Sequence, residues 1–291
     1  MTLDAAIAAF TAQMAADGRS PHTVAAYGRA LRLFRGWAGD RPVATLTPPT
    51  LAAFLASDTA RLGADGRPRQ ATSVNLLRSA LRAFGQHLVA CGIVEHSPTR
   101  ALRNARSNTP PPAILDDLEV ARLLATLSDA ATTDALARRD HVLFALLLGT
   151  GLRVGSVVGI DTADVDLAGR RVAIVGKGNR RDTVLLNARL HALLTAHLAT
   201  LDGPGPLFRS RTGQRLDARN VQLRFARWLA AAGIAKPITV HGLRHTFGTR
   251  LYRATRDLRL VQRALHHRHV TSTQLYVHLA DDELAAALEA V

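Results

Sequence analysis

Apolar side chains recur every three or four positions through most of this chain, the spacing of one face of an α-helix. Val24, Tyr27, Leu31, Phe34 and Trp37 form one such stripe, opened by Ser20-Pro21, with Ser as cap and Pro in the first turn. Thr47-Pro48-Pro49 opens another, carrying Leu51, Phe54 and Leu55, and Ala71 to Val89 carries Val74, Leu77, Leu81, Phe84 and Leu88. Residues 1–100 therefore read as helical throughout. Arg29, Arg32, Arg35, Arg78 and Arg82 fall between the apolar positions and are expected on outer faces, either as a solvated row or against phosphate.

Ser97-Pro98 and the stretch from Asn104 to Pro112, with three successive prolines, break the pattern. Such a run is extended and favours a linker, here residues 101–113, between two domains. Helical periodicity returns at Leu115-Asp116-Asp117-Leu118-Glu119-Val120, with acids in the first turn, and from about Asp134 to Leu148, ending at Gly151. Arg171–Val175 and Thr183–Leu186 are short β-type runs flanking Gly176-Lys177-Gly178-Asn179-Arg180, a hairpin signal. Helices resume near Asn187, near Asp217 (Val221, Phe225, Trp228, Leu229) and at His241. The expected fold is mainly α, a helical first domain (1–100) and an α-rich second domain (114–291) with a small antiparallel sheet.

Charge narrows the partners. The net charge is +14, split +5 over residues 1–100 (11 basic, 6 acidic) and +9 over the rest (26 basic, 17 acidic). A chain positive in both halves concentrates at polyphosphate surfaces, where each neutralised phosphate releases counterions; a general arginine bias is the alternative. Only two of the 37 basic residues are Lys, Lys177 and Lys236. Lys can give up and recover a proton where Arg cannot, so an isolated Lys among arginines hints at proton transfer; Lys236 reads as chance placement. No apolar run approaches the roughly 18 residues that span a bilayer. Met1-Thr-Leu-Asp4 lacks a basic leader, and a single Cys (Cys91) excludes an internal disulfide, so a cytoplasmic location is expected.

The chemistry-bearing residues crowd into the second half. His241 and Arg244 stand three apart on a predicted helix, hence on one face. About thirty residues on come Leu265-His266-His267 and Tyr276. Cations, proton carriers and a phenol together suit phosphoryl transfer on a polyanion. Read singly, Tyr276 is as well a packed aromatic beside Leu275 and Leu279, and His266-His267-Arg268-His269 with His278 is a conceivable metal cluster, disfavoured by the neighbouring Arg and the lack of Cys.

Four segments in order, Thr150-Gly151-Leu152-Arg153, Gly176-Lys177-Gly178-Asn179, His241-Gly242-Leu243-Arg244-His245-Thr246-Phe247 and Leu265-His266-His267…Thr273-Gln274-Leu275-Tyr276, resemble the tyrosine recombinases of the phage integrase superfamily, most closely the Xer-like bacterial members. The resemblance covers nearly the whole chain. It implies a SAM-like core-binding domain, a linker and a catalytic domain, which together clamp duplex DNA. It implies that Arg153 and Arg244 hold the scissile phosphate, whose charge they offset in the transition state. Tyr276 is then the nucleophile, Lys177 the acid for the leaving 5′-oxygen, and His241 and His267 orient phosphate or carry the tyrosine proton. His245 is expected in a supporting hydrogen-bonding role, and Tyr27 and Tyr252 as structural residues.

The resemblance further implies no cofactor or metal, a specific double-stranded DNA site, and a tetramer of this chain, alone or with a second recombinase, working through a Holliday junction. The segment from Asp281, with Leu284, Ala287 and Leu288 on one face, is expected to dock on a neighbouring protomer, the alternative being its own domain. Three positions depart from the family pattern: Ser156 where an acid is common, Asp182 where a base is common, and His266 where Gly is usual. A type IB topoisomerase and a non-catalytic DNA-binding relative are the rival readings.

Overall fold

The computed structural model describes residues 1–104, 112–175, 181–266 and 288. The chain divides into two compact units, Met1–Thr109 and Pro110–Val291, each with its own core.

The first unit holds α1 (Leu3–Ala16), α2 (Pro21–Ala38), α3 (Pro48–Ala56), α4 (Asp58–Arg61) and α5 (Ala71–Ala90). Their starts follow the cap chemistry of the sequence: the side chains of Thr2, Ser20 and Thr47 accept from Ala5, Thr23 and Thr50 N–H. Phe34, Phe54 and Phe84 are fully buried, each worth about 1.5–3 kcal/mol. Phe34 meets Phe54 edge-on at 5.0 Å, and Phe10 meets Phe84 at 5.7 Å. Tyr27 packs against this core.

The expected outer arginine row holds only in part. Arg29 and Arg32 are exposed. Arg35 instead pairs with Asp4 at 3.3 Å, and Arg78 donates to Asn75 Oδ1 at 3.3 Å. Arg82 donates to the Leu102 carbonyl at 3.2 Å and to Asn104 Oδ1 at 2.8 Å. These arginines stand near helix seams, where a long arm lies along apolar surface and its head reaches the adjoining segment. Arg82 thereby keeps the chain docked on α5 as far as Asn104.

The second unit begins with α6 (Asp117–Ala130), whose Asp116 and Glu119 form a reciprocal capping box. α7 (Ala135–Thr150) follows, and its residues 139–148 are buried on every face, the mark of a central helix. The other helices are α8 (Val154–Val158), α9 (Ala188–Leu198), α10 (Ala218–Ala231), α11 (Val240–Thr255) and α12 (Leu258–Ala264). The strands β1 (Val165–Asp166), β2 (Arg171–Val175) and β3 (Arg181–Leu185) form an antiparallel sheet in the order β1-β2-β3, with Val165 opposite Val172 and Ile174 opposite Asp182. Among the described residues, no helix is long and apolar enough to cross a membrane.

Two polar clusters tie this unit together. Asp140, 1% exposed, accepts from Arg139 Nη2 at 2.7 Å and from Trp228 Nε1 at 2.8 Å, and also pairs with Arg224. Lys236 donates to the Ile114 carbonyl at 3.0 Å and to Glu119 at 2.6 Å, so it joins the start of the unit to the approach to α11. The reading of Lys236 as chance placement is thereby corrected: its ammonium answers the capping carboxylate of α6.

Candidate active site

The site is assembled from the α7–α8 turn, the first turns of α11 and the end of α12. α7 ends at Gly151, which adopts φ +63° and donates its N–H to the Leu147 carbonyl at 3.0 Å. A Cβ there would stand 2.3 Å from Phe247 Cδ1 and 2.7 Å from Leu265 Cδ2, so both backbone angle and space demand glycine. Gly151→Ala is expected to cost about 2–4 kcal/mol, the left-handed penalty plus overpacking, read as a lower urea midpoint. Two residues later Arg153 occupies the cap position of α8 in extended conformation, its side chain exposed. No hydrogen bond or ion pair to that side chain occurs among the described residues.

α11 supplies the second element. Gly242 lets its first turn approach the Ala113 carbonyl, which an added Cβ would meet at 2.8 Å. Thr246 Oγ1 accepts from Leu115 N–H at 3.0 Å. The helix is thus fixed to the start of the unit, and its His241 and Arg244 lie one turn apart.

Arg244 is only 3% exposed. Its Nη1 donates to the Gly151 carbonyl at 2.7 Å, and its Nη2 donates to the Leu265 carbonyl at 2.5 Å. One guanidinium therefore bridges the α7–α8 turn and the end of α12. Two of its five N–H donors engage these carbonyls, a fork that a point cation could not reproduce. Below it, Tyr252, Val261 and Leu265 form a small apolar cluster with Phe247. Tyr252 is buried there, in the structural place expected of it.

His241 is exposed as a residue, yet its ring is partly withdrawn from water. Burial first, then the charges of Arg244 and Arg153, lower its pKa from the ordinary value. Both guanidinium groups therefore act on this imidazole. The His245 ring meets it edge-on at 4.8 Å. The His245 Nδ1 has no hydrogen-bond partner among the described residues. Burial, then His241 and Arg244, lower His245 to about 4. Burial also lowers His141 and His197.

These depressed values fix a sign. Between the ordinary 6.5 and about 4, the unfolded chain binds protons that the folded chain refuses, so stability is lost as pH falls through that window. The denaturation midpoint is expected to drop from pH 7 to pH 5, and His245→Gln to flatten that slope.

Lys177, His267 and Tyr276 lie outside the described residues, as do most of the histidines considered for a metal and, apart from Leu288, the segment from Asp281 that is expected to dock. Of the six expected site residues, the structure places Arg153, His241 and Arg244 together. The three departures each have described neighbours. Ser156 donates to the Val175 carbonyl at 3.4 Å and so faces the end of β2. Asp182 and His266, read separately as anomalies, stand together: His266 Nδ1 lies 2.5 Å from Asp182 Oδ2. An acid and an imidazole were visible in the sequence, but their proximity was not.

Comparison with known proteins covers most of the chain. The profile of the phage integrase family matches residues 114–283, and that of the phage integrase N-terminal SAM-like domain matches residues 7–92. Tyrosine recombinase XerC of Serratia marcescens is 34% identical over 277 residues, covering 93% of this chain and 88% of its own. Among solved structures, the XerH site-specific recombinase bound to palindromic difH substrate superposes with a TM-score of 0.76 at 21% identity, over 93% of this chain and 80% of its own. A lambda integrase tetramer bound to a Holliday junction gives 0.72 at 21% identity, over 92% and 78%. Profile, relatives and the bridged arginine site agree, and the chain belongs to the phage integrase family, as a tyrosine recombinase.

Proposed function

We propose that the chain cuts and rejoins double-stranded DNA at a specific site, exchanging one pair of strands at a time through a Holliday junction. The observation that carries this reading is the buried Arg244 fork between the Gly151 and Leu265 carbonyls, which sets a guanidinium beside Arg153 and His241. Both guanidinium groups hold the scissile phosphate and offset its growing charge. The Tyr276 oxygen attacks phosphorus, the bond to the 5′-oxygen breaks, and a 3′-phosphotyrosine forms. Lys177 gives the leaving 5′-oxygen its proton. His241 and His267 orient the phosphate or carry the tyrosine proton. Rejoining reverses these steps, because the covalent link conserves the ester's free energy.

Residues 1–100 serve as the core-binding domain, 101–113 as linker and 114–291 as the catalytic domain. The working unit is a tetramer on synapsed DNA, in the cytoplasm at the nucleoid. The lambda integrase tetramer on a Holliday junction supports that assembly by likeness of fold.

The test starts from a random duplex pool, from which the protein selects the site it binds. A nicked duplex carrying that site then serves as a suicide substrate. A covalent adduct is expected with the natural chain and none with Tyr276→Phe, which should bind the duplex as well. An adduct that survives Tyr276→Phe, or its absence from the natural chain despite tight binding, overturns the reading. Relaxation of supercoiled DNA lacking the site would point to a topoisomerase instead.

A further inference from the structure

Along β3 the two-residue alternation puts Asp182 on the same side as Val184, which is buried in the core of the second unit. The cross-strand partner of Asp182, Ile174, is buried there too. A carboxylate thus stands where the alternation calls for an apolar side chain. Its Oδ1 accepts from the Thr183 N–H at 3.1 Å, and its Oδ2 meets His266 Nδ1 at 2.5 Å.

His266 presents a second local anomaly. Its φ is +50°, a conformation that suits Gly and penalises a residue carrying a Cβ. Its side chain is only 23% exposed, against 43% for Asp182. Each residue is out of place by itself, and a single contact satisfies both.

What the contact holds is decided by the peptide bond between Leu265 and His266. That unit is planar, so the Leu265 carbonyl turns with the His266 N–H. The same carbonyl accepts from Arg244 Nη2, while the His266 N–H donates to the Arg263 carbonyl at 3.0 Å. Anchoring the His266 ring to the sheet fixes the Cα of residue 266, and with it the plane whose oxygen is aimed at the guanidinium.

We propose that Asp182 and His266 form a positioning pair, tying β3 to the end of α12 and setting the Leu265 carbonyl that seats Arg244. The pair does not touch the phosphate. It acts through Arg244, and its catalytic consequence rests on the recombinase reading above. A left-handed position that Gly would fill at no cost is here given a side chain, and the added ring makes a tie that Gly cannot.

Three variants separate the pair from a merely structural role. His266→Gly removes the ring and keeps the backbone unstrained; Asp182→Ala removes the acceptor; His266→Asn keeps a donor and tolerates the left-handed backbone. On the nicked selected duplex, His266→Gly and Asp182→Ala are each expected to slow single-turnover adduct formation about tenfold while the duplex affinity changes less than about twofold. The combined variant should be no slower than either alone, the signature of one shared interaction. His266→Asn should restore most of the rate, but only when Asp182 is present.

Hydrogen exchange of the free protein gives a readout independent of activity. Amides 258–266 should exchange faster in His266→Gly and Asp182→Ala than in His266→Asn or the natural chain. Unchanged exchange, or losses that multiply in the combined variant, overturns the pair. If the natural chain forms no adduct, the recombinase reading falls, and exchange alone decides whether the tie exists.

Discussion

Arg244→Lys is expected to lower single-turnover adduct formation by about 10²- to 10³-fold, the loss seen when one donor to a developing oxyanion is removed. The charge survives this substitution, so a merely electrostatic role would leave most of the rate intact. The geometry does not survive. Arg244 reaches the Gly151 and Leu265 carbonyls with two nitrogens of one rigid plane, and an ammonium reaches one of them at best. The abandoned carbonyl is buried, which costs about 1–3 kcal/mol and lowers the urea midpoint as well. Rate and stability should fall together, whereas at the exposed Arg153 substitution should reduce rate with little change in midpoint. Wild-type cleavage by the Lys variant would remove Arg244 from the chemistry.

Asp140→Asn should show the opposite division. Asp140 sits inside α7 with Arg139 and Arg224 on its two oxygens and the Trp228 N–H beside them. An amide presents a donor to one of these donors and leaves two guanidinium groups without a counter-charge. Breaking such a buried pair from one side costs about 3–5 kcal/mol. Replacing Asp140, Arg139 and Arg224 together by Leu should recover much of that loss, because no buried charge is then stranded. Ten residues of helix, about 15 Å at 1.5 Å each, separate Asp140 from Thr150 at the site. Activity per folded molecule, measured well below the unfolding midpoint, should therefore be preserved. A variant that folds normally but fails to cleave would show that the cluster reaches the site.

The contrast between these residues also marks what could be read from the chain. Helix starts were legible where a cap precedes a long apolar stripe, as at Ser20, Thr47 and the Asp116–Glu119 box, but not at Thr2 or Asp257, which also cap their helices. Elements set by a distant partner were not. The two-residue β1 exists through pairing with β2, and the seven-residue α12 is too short to carry a clear period. Arg82 and Lys236 looked like free cations, because their acceptors are brought near only by folding. At the site, the three-residue spacing put His241 and Arg244 on one helix face, and the family resemblance supplied Arg153. Neither could reveal that Arg244 is buried, since its acceptors are main-chain oxygens 93 and 21 residues away. Asp182 and His266 were visible as oddities, and the fold made them neighbours.

The use of main-chain oxygens to seat Arg244 hides part of this machinery from ordinary mutational scanning. A side-chain replacement at 265 leaves the acceptor in place and reports packing alone, and even at 151 the oxygen itself is never deleted. Swapping the amide for an ester by chemical synthesis weakens the acceptor without altering any side chain, though at 265 it also removes the His266 N–H that donates to the Arg263 carbonyl. At both positions the course of the backbone matters to Arg244 in addition to the space that glycine leaves at 151 and the packing of the side chain at 265.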